Sequence, residues 1–267
     1  MREILVFLIG ACFGSFANVC IYRMPRKKSI VFPSSFCPKC RRSIRWYDNI
    51  PILSYILLRG RCRYCKKTIS PRYPIVEATM GLLALLLYEK FWTIGLYCPF
   101  FFYFIFALGM LIISGIDFET FLVPDIIVIP LIPIGIIGAF LCENFFFFPS
   151  GQSSAINRLM YSISGAFTGA LIVAALAIIG KIIWKKEAMG GGDLKLLAAI
   201  GAFLGWKGVF ISIFFGSIIG TIISLLLIYS KKKTWDDYIP FGPYLVIGAI
   251  ITILMKGSCF LSLYFIP

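Results

Sequence analysis

Seven apolar runs of bilayer-spanning length dictate what this chain can become. They lie at about 4–22, 74–89, 97–116, 122–142, 159–184, 208–230 and 242–263. Backbone in hydrocarbon must satisfy its own hydrogen bonds, so such runs fold as helices. A shorter run at about 194–205 would make roughly 18 Å of helix at 1.5 Å per residue, less than a full bilayer core. It reads as a tilted short span or as half of a re-entrant pair. With 60% hydrophobic residues and a mean hydropathy of +0.91, the composition excludes a soluble globular domain. The expected fold is an all-α polytopic membrane protein of about eight transmembrane helices, without an evident internal repeat. The stretch from Met1 to Cys20 could pass for a secretory signal. It carries Asn18, lacks a small-residue cleavage site and runs into a basic loop, so it reads as the first span.

Charge orients these spans. The loop 23–73 holds fourteen of the 26 Lys and Arg residues and one acid, Asp48. By the positive-inside rule it is cytoplasmic. An eight-span arrangement then puts 21 basic residues on the cytoplasmic side and leaves Arg2, Lys90, Arg158, Lys207 and Lys256 outside. A basic loop could serve nucleic acid; the simpler reading is that it sets topology and meets anionic lipid. The run Phe145 to Phe148 reads as an outer-face anchor.

Within that loop stand Cys37-Pro38-Lys39-Cys40 and Cys62-Arg63-Tyr64-Cys65. Two C-x-x-C turns supply four thiolates in the arrangement that suits a structural zinc ion, with no open coordination position. The alternatives are two disulfides or idle thiols, and a reducing compartment argues against disulfides. A loop this poor in apolar residues needs such a staple. Cys12, Cys20, Cys98, Cys142 and Cys259 lie in or beside apolar segments and read as packing residues.

Four acids need an explanation: Glu77, Asp117, Asp125 and Asp193. Orientation alone brings Asp117, at the end of the third span, and Asp193, at the start of the short segment, to one membrane face. Two carboxylates sharing a site cannot both ionise easily, so one keeps a proton while the other activates water. Asp117 opposes the helix dipole at its span's C-terminus, which makes a capping role hard to assign. Asp125, following Pro124, reads as a helix cap. The chain has no histidine, so acid–base work falls to other side chains. Gly190-Gly191-Gly192 ahead of Asp193 suggests a carboxylate placed where a backbone must come close.

Taken together, these motifs resemble the type IV prepilin peptidases. Gly190-Gly191-Gly192-Asp193-Leu194-Lys195 is similar to the G-x-G-D motif of intramembrane aspartyl proteases. Ile116-Asp117 with Val123-Pro124-Asp125 is similar to the partner motif. The segment Gly14 to Pro25, the two C-x-x-C units, Asp48 to Pro51, Arg72 to Glu77 and Pro240-Phe241-Gly242-Pro243 continue the likeness. The resemblance implies cleavage of the short basic leader of type IV prepilins or pseudopilins after a glycine, on the cytoplasmic side of a bacterial inner membrane. It also implies methylation of the new N-terminal residue, usually Phe, with S-adenosylmethionine as donor. Asp117 and Asp193 become the expected catalytic pair, supported by Gly190, Gly191, Gly192, Asp125 and Lys195. Residues 1–90 become the methyltransferase-associated part, and 91–267 a six-span peptidase domain. For the methyl donor the candidates are Gly14, Ser15, Asn18 and Glu77, each of which also reads as helix packing or a polar contact between spans. Competing classes are a zinc-stapled transporter using the same acids and a non-enzymatic pilus or secretion assembly scaffold.

Overall fold

The structure, a computed structural model, describes residues 1–145, 154–184, 190–234 and 237–255. Among them all regular structure is helical, apart from two isolated bridges in the loop. The α-helices are α1 (Arg2–Arg23), α2 (Leu53–Leu57), α3 (Arg72–Leu87), α4 (Tyr97–Thr120), α5 (Asp125–Leu141), α6 (Ala155–Trp184), α7 (Gly191–Tyr229) and α8 (Gly242–Met255). Four of them, α1, α4, α6 and α7, are long and apolar enough to cross a membrane; α5 and α8 are apolar but shorter.

Contacts between helix ends show how the bundle alternates. At one end the last turns of α1 and α4 meet the first turns of α3, α5, α7 and α8. Asn18 Nδ2 donates to the Tyr73 carbonyl at 3.0 Å, Arg72 pairs with Glu119, Lys195 pairs with Asp125, and Gly242 abuts Asp117. At the other end Lys90 Nζ donates to the Leu254 carbonyl at 2.7 Å. There Arg158 also binds the Ala139 and Phe140 carbonyls, a cation on the negative end of the α5 dipole. Lys90 and Arg158 thus lie at the end opposite the aspartates, as the charge count requires.

Helix α7 is two helices. Gly205 breaks it with φ 71° and ψ 175°, a backbone region open essentially to glycine alone. Ser212, beyond the break, hydrogen-bonds Thr252 near the end of α8, and Gly216 packs on the Tyr244 backbone near its start. The second half therefore runs antiparallel to α8, back toward the aspartate end. The run 194–205 is the first half, packed on α6 where Gly165 and Gly201 bring the backbones together. A Cβ at Gly205 would lie 1.7 Å from the Tyr161 ring. Gly205→Ala should thus cost roughly 3 kcal/mol or more, from backbone strain and overpacking together. Thermal unfolding in detergent checks this, and a variant as stable as wild type would refute the account of the break.

The core near the far end centres on Tyr103, which is 1% exposed. Its hydroxyl donates to the Phe145 carbonyl at 2.9 Å and the Phe203 carbonyl at 3.2 Å, and its ring stacks on Phe91 and Phe145. Phe145 is accordingly a core residue, not the exposed anchor expected; 146–148 lie outside the described residues. Cys98 and Cys142 form a disulfide, correcting their reading as packing residues. They begin α4 and follow α5, helices that pair end to end, which sequence separation concealed. Cys20 is buried and Cys12 exposed; Cys259 lies outside the described residues.

Candidate functional site

Asp117 lies in the last turn of α4 and Asp193 in the first turn of α7, 76 positions apart in sequence. The fold brings them close enough for their charges to interact. Asp117 is 5% exposed, and its Oδ2 has no hydrogen-bond partner. A backbone N–H of Gly242 is directed at its carboxyl, and a Cβ on Gly242 would come within 2.4 Å of Oδ2. Only glycine can start α8 there without displacing the carboxylate. Gly242 belongs to the Pro240–Pro243 motif, but nothing in the sequence revealed its contact with Asp117.

Asp193 is the third residue of its helix. Its N–H donates to the Gly190 carbonyl at 3.1 Å, and its carboxyl interacts in return with the Gly190 backbone N–H. The carboxyl thus makes the N3-to-N-cap half of a capping box, Gly190 having no side chain to make the other, and it is fixed at the positive end of the helix dipole. The three glycines divide by role. Gly192 packs on Val123, which a Cβ would meet at 2.9 Å, while Gly190 and Gly191 face open space.

Asp125 is not the cap expected. Pro124 occupies the cap position of α5 and no side chain caps it. The Asp125 carboxylate instead takes both oxygens to Lys195 Nζ, at 2.7 and 2.8 Å. The pair ties the start of α5 to the start of α7, two residues past Asp193. Being largely exposed, it contributes about 0.2–1 kcal/mol and acts chiefly in orientation.

The cysteine loop is built of two matching knuckles, a local repeat at an offset of 25 residues that was not evident in the sequence. Cys37 N–H donates to the Arg42 carbonyl and Arg41 N–H to the Cys37 carbonyl; Cys62 with Lys67, and Lys66 with Cys62, repeat this. Arg41 and Lys66 both take positive φ. The four sulfurs lie within 4.8 Å of one another, and Cys37 Sγ is 4.0 Å from Cys65 Sγ. Zn–S bonds of 2.3 Å in a tetrahedron need edges of about 3.8 Å, so the donor set fits zinc. Backbone N–H groups of Cys65 and Tyr64 hold the Cys62 thiol down at about 7. An Arg42 N–H acts the same way on Cys40, but burial and the neighbouring thiols outweigh it and push that thiol up to about 11. Four crowded sulfurs thus admit some negative charge and call for a cation to hold more. Lys39 Nζ on the Thr68 carbonyl, at 3.1 Å, joins one knuckle to the other, and the bidentate Arg63–Asp48 bridge, at 2.7 Å, ties the second knuckle to the turn between them.

Between this loop and the ends of α1, α3 and α4 lies a cavity of about 660 Å³, a size suited to a small-molecule ligand. Ser15, Asn18 and Glu77 line it. Glu77 Oε2 accepts the Ile52 N–H at 2.7 Å, and the Ser15 hydroxyl also reaches it. Asn18 Oδ1 is buried without a partner. Gly14 does not line the cavity; it sits where α1 touches α3, its Cβ position 2.6 Å from the Glu77 backbone. Two further cavity residues, Arg72 and Glu119, carried no role in the sequence reading. The available signal was the second acid of Asp117-Phe118-Glu119, which residues two apart on a helix direct to a different side.

Two family models match the chain: the bacterial peptidase A24 N-terminal domain over residues 8–91 and the type IV leader peptidase family over residues 104–225. A prepilin leader peptidase/N-methyltransferase of Pseudomonas aeruginosa is 32% identical over 273 residues, covering 92% of this chain and 88% of that protein. One of Pseudomonas putida is 31% identical, covering 97% and 92%, and one of Burkholderia pseudomallei is 29% identical, covering 98% and 88%. No solved structure matches the chain. Matched along nearly its whole length by such relatives, this chain belongs to the type IV leader peptidase family.

Proposed function

We propose that this protein removes the basic leader of type IV prepilins or pseudopilins and methylates the amine thus freed. The observation that carries the reading is the meeting of Asp117 and Asp193 from opposite ends of two helices far apart in sequence. One carboxyl would hold a proton and polarise the scissile carbonyl; the other, ionised, would take a proton from the attacking water. The open side of Gly190 and Gly191 leaves room for an extended substrate backbone beside Asp193. The Asp125–Lys195 pair keeps the two helix starts in register.

In this reading the chain crosses a bacterial inner membrane eight times, counting both halves of α7. The aspartates then lie at the cytoplasmic face with the basic loop. That placement rests on the positive-inside rule and on Lys90 and Arg158 standing at the far end. A disulfide at that far end is in keeping with an oxidising compartment. Cys37, Cys40, Cys62 and Cys65 hold zinc, which shapes the loop. S-adenosylmethionine occupies the 660 Å³ cavity near Ser15, Asn18 and Glu77, where it supplies an electrophilic methyl group. Residues 1–90 serve methyl transfer and 91–267 proteolysis, a division in line with the two family matches.

Purified protein in lipid, given a prepilin and a labelled methyl donor, tests this directly. Leader loss should precede labelling of the shortened product, one label per chain. Proton or cation flux through vesicles without any processing would overturn the reading in favour of a transporter.

A further inference from the structure

Two buried acceptors in the cavity lack the donor that their burial calls for. Asn18 is 2% exposed and Glu77 8%, and both line the cavity beside Ser15. The Tyr73 carbonyl accepts from Asn18 Nδ2 and so fixes which way the amide points; Oδ1 is left without a partner. Glu77 receives the Ile52 N–H and the Ser15 hydroxyl, two of the roughly four hydrogen bonds that a carboxylate can accept. No Lys or Arg pairs with it among the described residues. A buried acceptor without a donor costs about 1–3 kcal/mol, and a buried charge without a partner more. The backbone is nonetheless bent to hold Glu77 in place. Ile52 takes φ 61° and ψ −52°, and Leu53 N–H closes on the Pro51 carbonyl at 2.5 Å. This is a γ-turn of the rare, strained kind, and it directs the Ile52 N–H onto Glu77. The Asp48–Pro51 motif leads into it.

Resting on the function proposed above, we propose that Asn18 Oδ1 and Glu77 form the pocket for the substrate's new N-terminal amine, with Glu77 as the base that deprotonates it. The spacing fits one nitrogen. Asn18 meets α3 at Tyr73 and Ser15 meets it at Glu77. Three positions on α1 and four on α3 are each one turn, about 5–6 Å between Cβ atoms. One ammonium, with N–H···O bonds of about 2.9 Å, can reach both acceptors. Depth selects the amine over the donor. Asn18 and Glu77 each lie about 8 Å inside the helix ends at Arg23 and Arg72, taken at 1.5 Å per residue. That depth suits the terminus of an apolar membrane segment. A soluble donor bearing a carboxylate belongs toward the loop, where Lys39, Arg42 and Lys67 line the cavity; Glu77 would repel it.

The step balances. The ammonium gives one proton to the Glu77 carboxylate, and two opposite charges cancel where little water screens them. The amine, still donating an N–H to Asn18 Oδ1, attacks the methyl carbon of the sulfonium donor with its lone pair. The carbon–sulfur bond breaks with its electron pair on sulfur, leaving a neutral thioether and a secondary ammonium. Glu77 returns its proton to water as the product leaves.

Glu77→Gln in full-length protein in lipid tests the assignment, because glutamine can still accept the Ile52 N–H but cannot take a proton. It should lower kcat for methylation of a leaderless peptide about 100-fold or more. Wild type should bind that peptide about tenfold more tightly than its N-acetylated copy, and Glu77→Gln should lose the preference. Donor binding by equilibrium dialysis should stay as in wild type. Asn18→Leu, which keeps the size but removes the acceptor, should weaken the preference with donor binding again kept. Zinc content and leader cleavage report folding. Wild type without the preference, or Glu77→Gln with wild-type methylation, overturns this role alone. Donor binding lost in Glu77→Gln also overturns it, by giving Glu77 to the donor. Wild type that transfers no methyl group overturns the functional reading and this role with it. Should Glu77→Gln fail to insert, Asn18→Leu decides: an unchanged preference in that variant overturns the pocket.

Discussion

Asp117→Asn or Asp193→Asn is expected to lower prepilin cleavage by on the order of 10⁴-fold, and the double variant should be hardly worse than either single one. Residues that act as a unit show such non-additivity, because loss of one member removes the common step. Asn keeps the shape of each side chain but can neither take a proton from water nor hold the shared one. The change at Asp117 also leaves the Gly242 contact in place, since the amide occupies the same space. Methylation of a peptide supplied without its leader should survive both changes, because the cavity lies on the other side of α4. Insertion, zinc content and donor binding serve as controls for folding. Full cleavage by both single variants would remove the dyad from the mechanism.

The second large effect concerns the cysteines. Purified, reduced protein should carry one zinc per chain, and Cys37→Ser or Cys62→Ser should lose it. Structural zinc contributes on the order of 10 kcal/mol to small domains that cannot fold alone, and this loop has little else. The bidentate Arg63–Asp48 bridge and the Lys39 contact are surface interactions, worth about a kilocalorie each at most. With the loop unlocked, the cavity loses its roof, so methylation should vanish while cleavage persists in part. Proton competition gives a pH signature. Cys62 is held near 7 against an ordinary 9.0, so its thiolate contributes stability fully above about pH 9, and that contribution fades as pH falls through 7. Cys40, up at about 11, loses its proton near neutrality only to a bound cation. Zinc release into a chelator should accordingly accelerate on acidification below pH 7 and slow above it. Reduced protein without zinc, or a serine variant retaining it, would refute the metal assignment.

Much of this was legible from the chain alone because hydrophobic burial and charge asymmetry are local properties. The apolar runs marked the helices, and the basic loop oriented them. From that orientation Asp117 and Asp193 were expected at one face, and the fold brings them together. The C-x-x-C spacing located four sulfurs that the fold gathers within 4.8 Å. The interval before 208 marked the break that structure places at Gly205.

What tertiary structure alone decided is which side chains end as neighbours. Asp125 looked like a cap by its place after proline, yet it pairs with Lys195, which a distant helix start delivers. Cys98 and Cys142 looked like apolar filling until two helices aligned their far ends. Phe145 follows the end of α5, but Tyr103 needs its carbonyl and its ring. Glu119 and Gly242 carried no visible role, because a helix turn presents one acid to each of two sites and only packing reveals which. Sequence sets each residue's chemistry and secondary structure through short-range forces. Helix packing sets partners across scores of residues, and no local pattern records that choice.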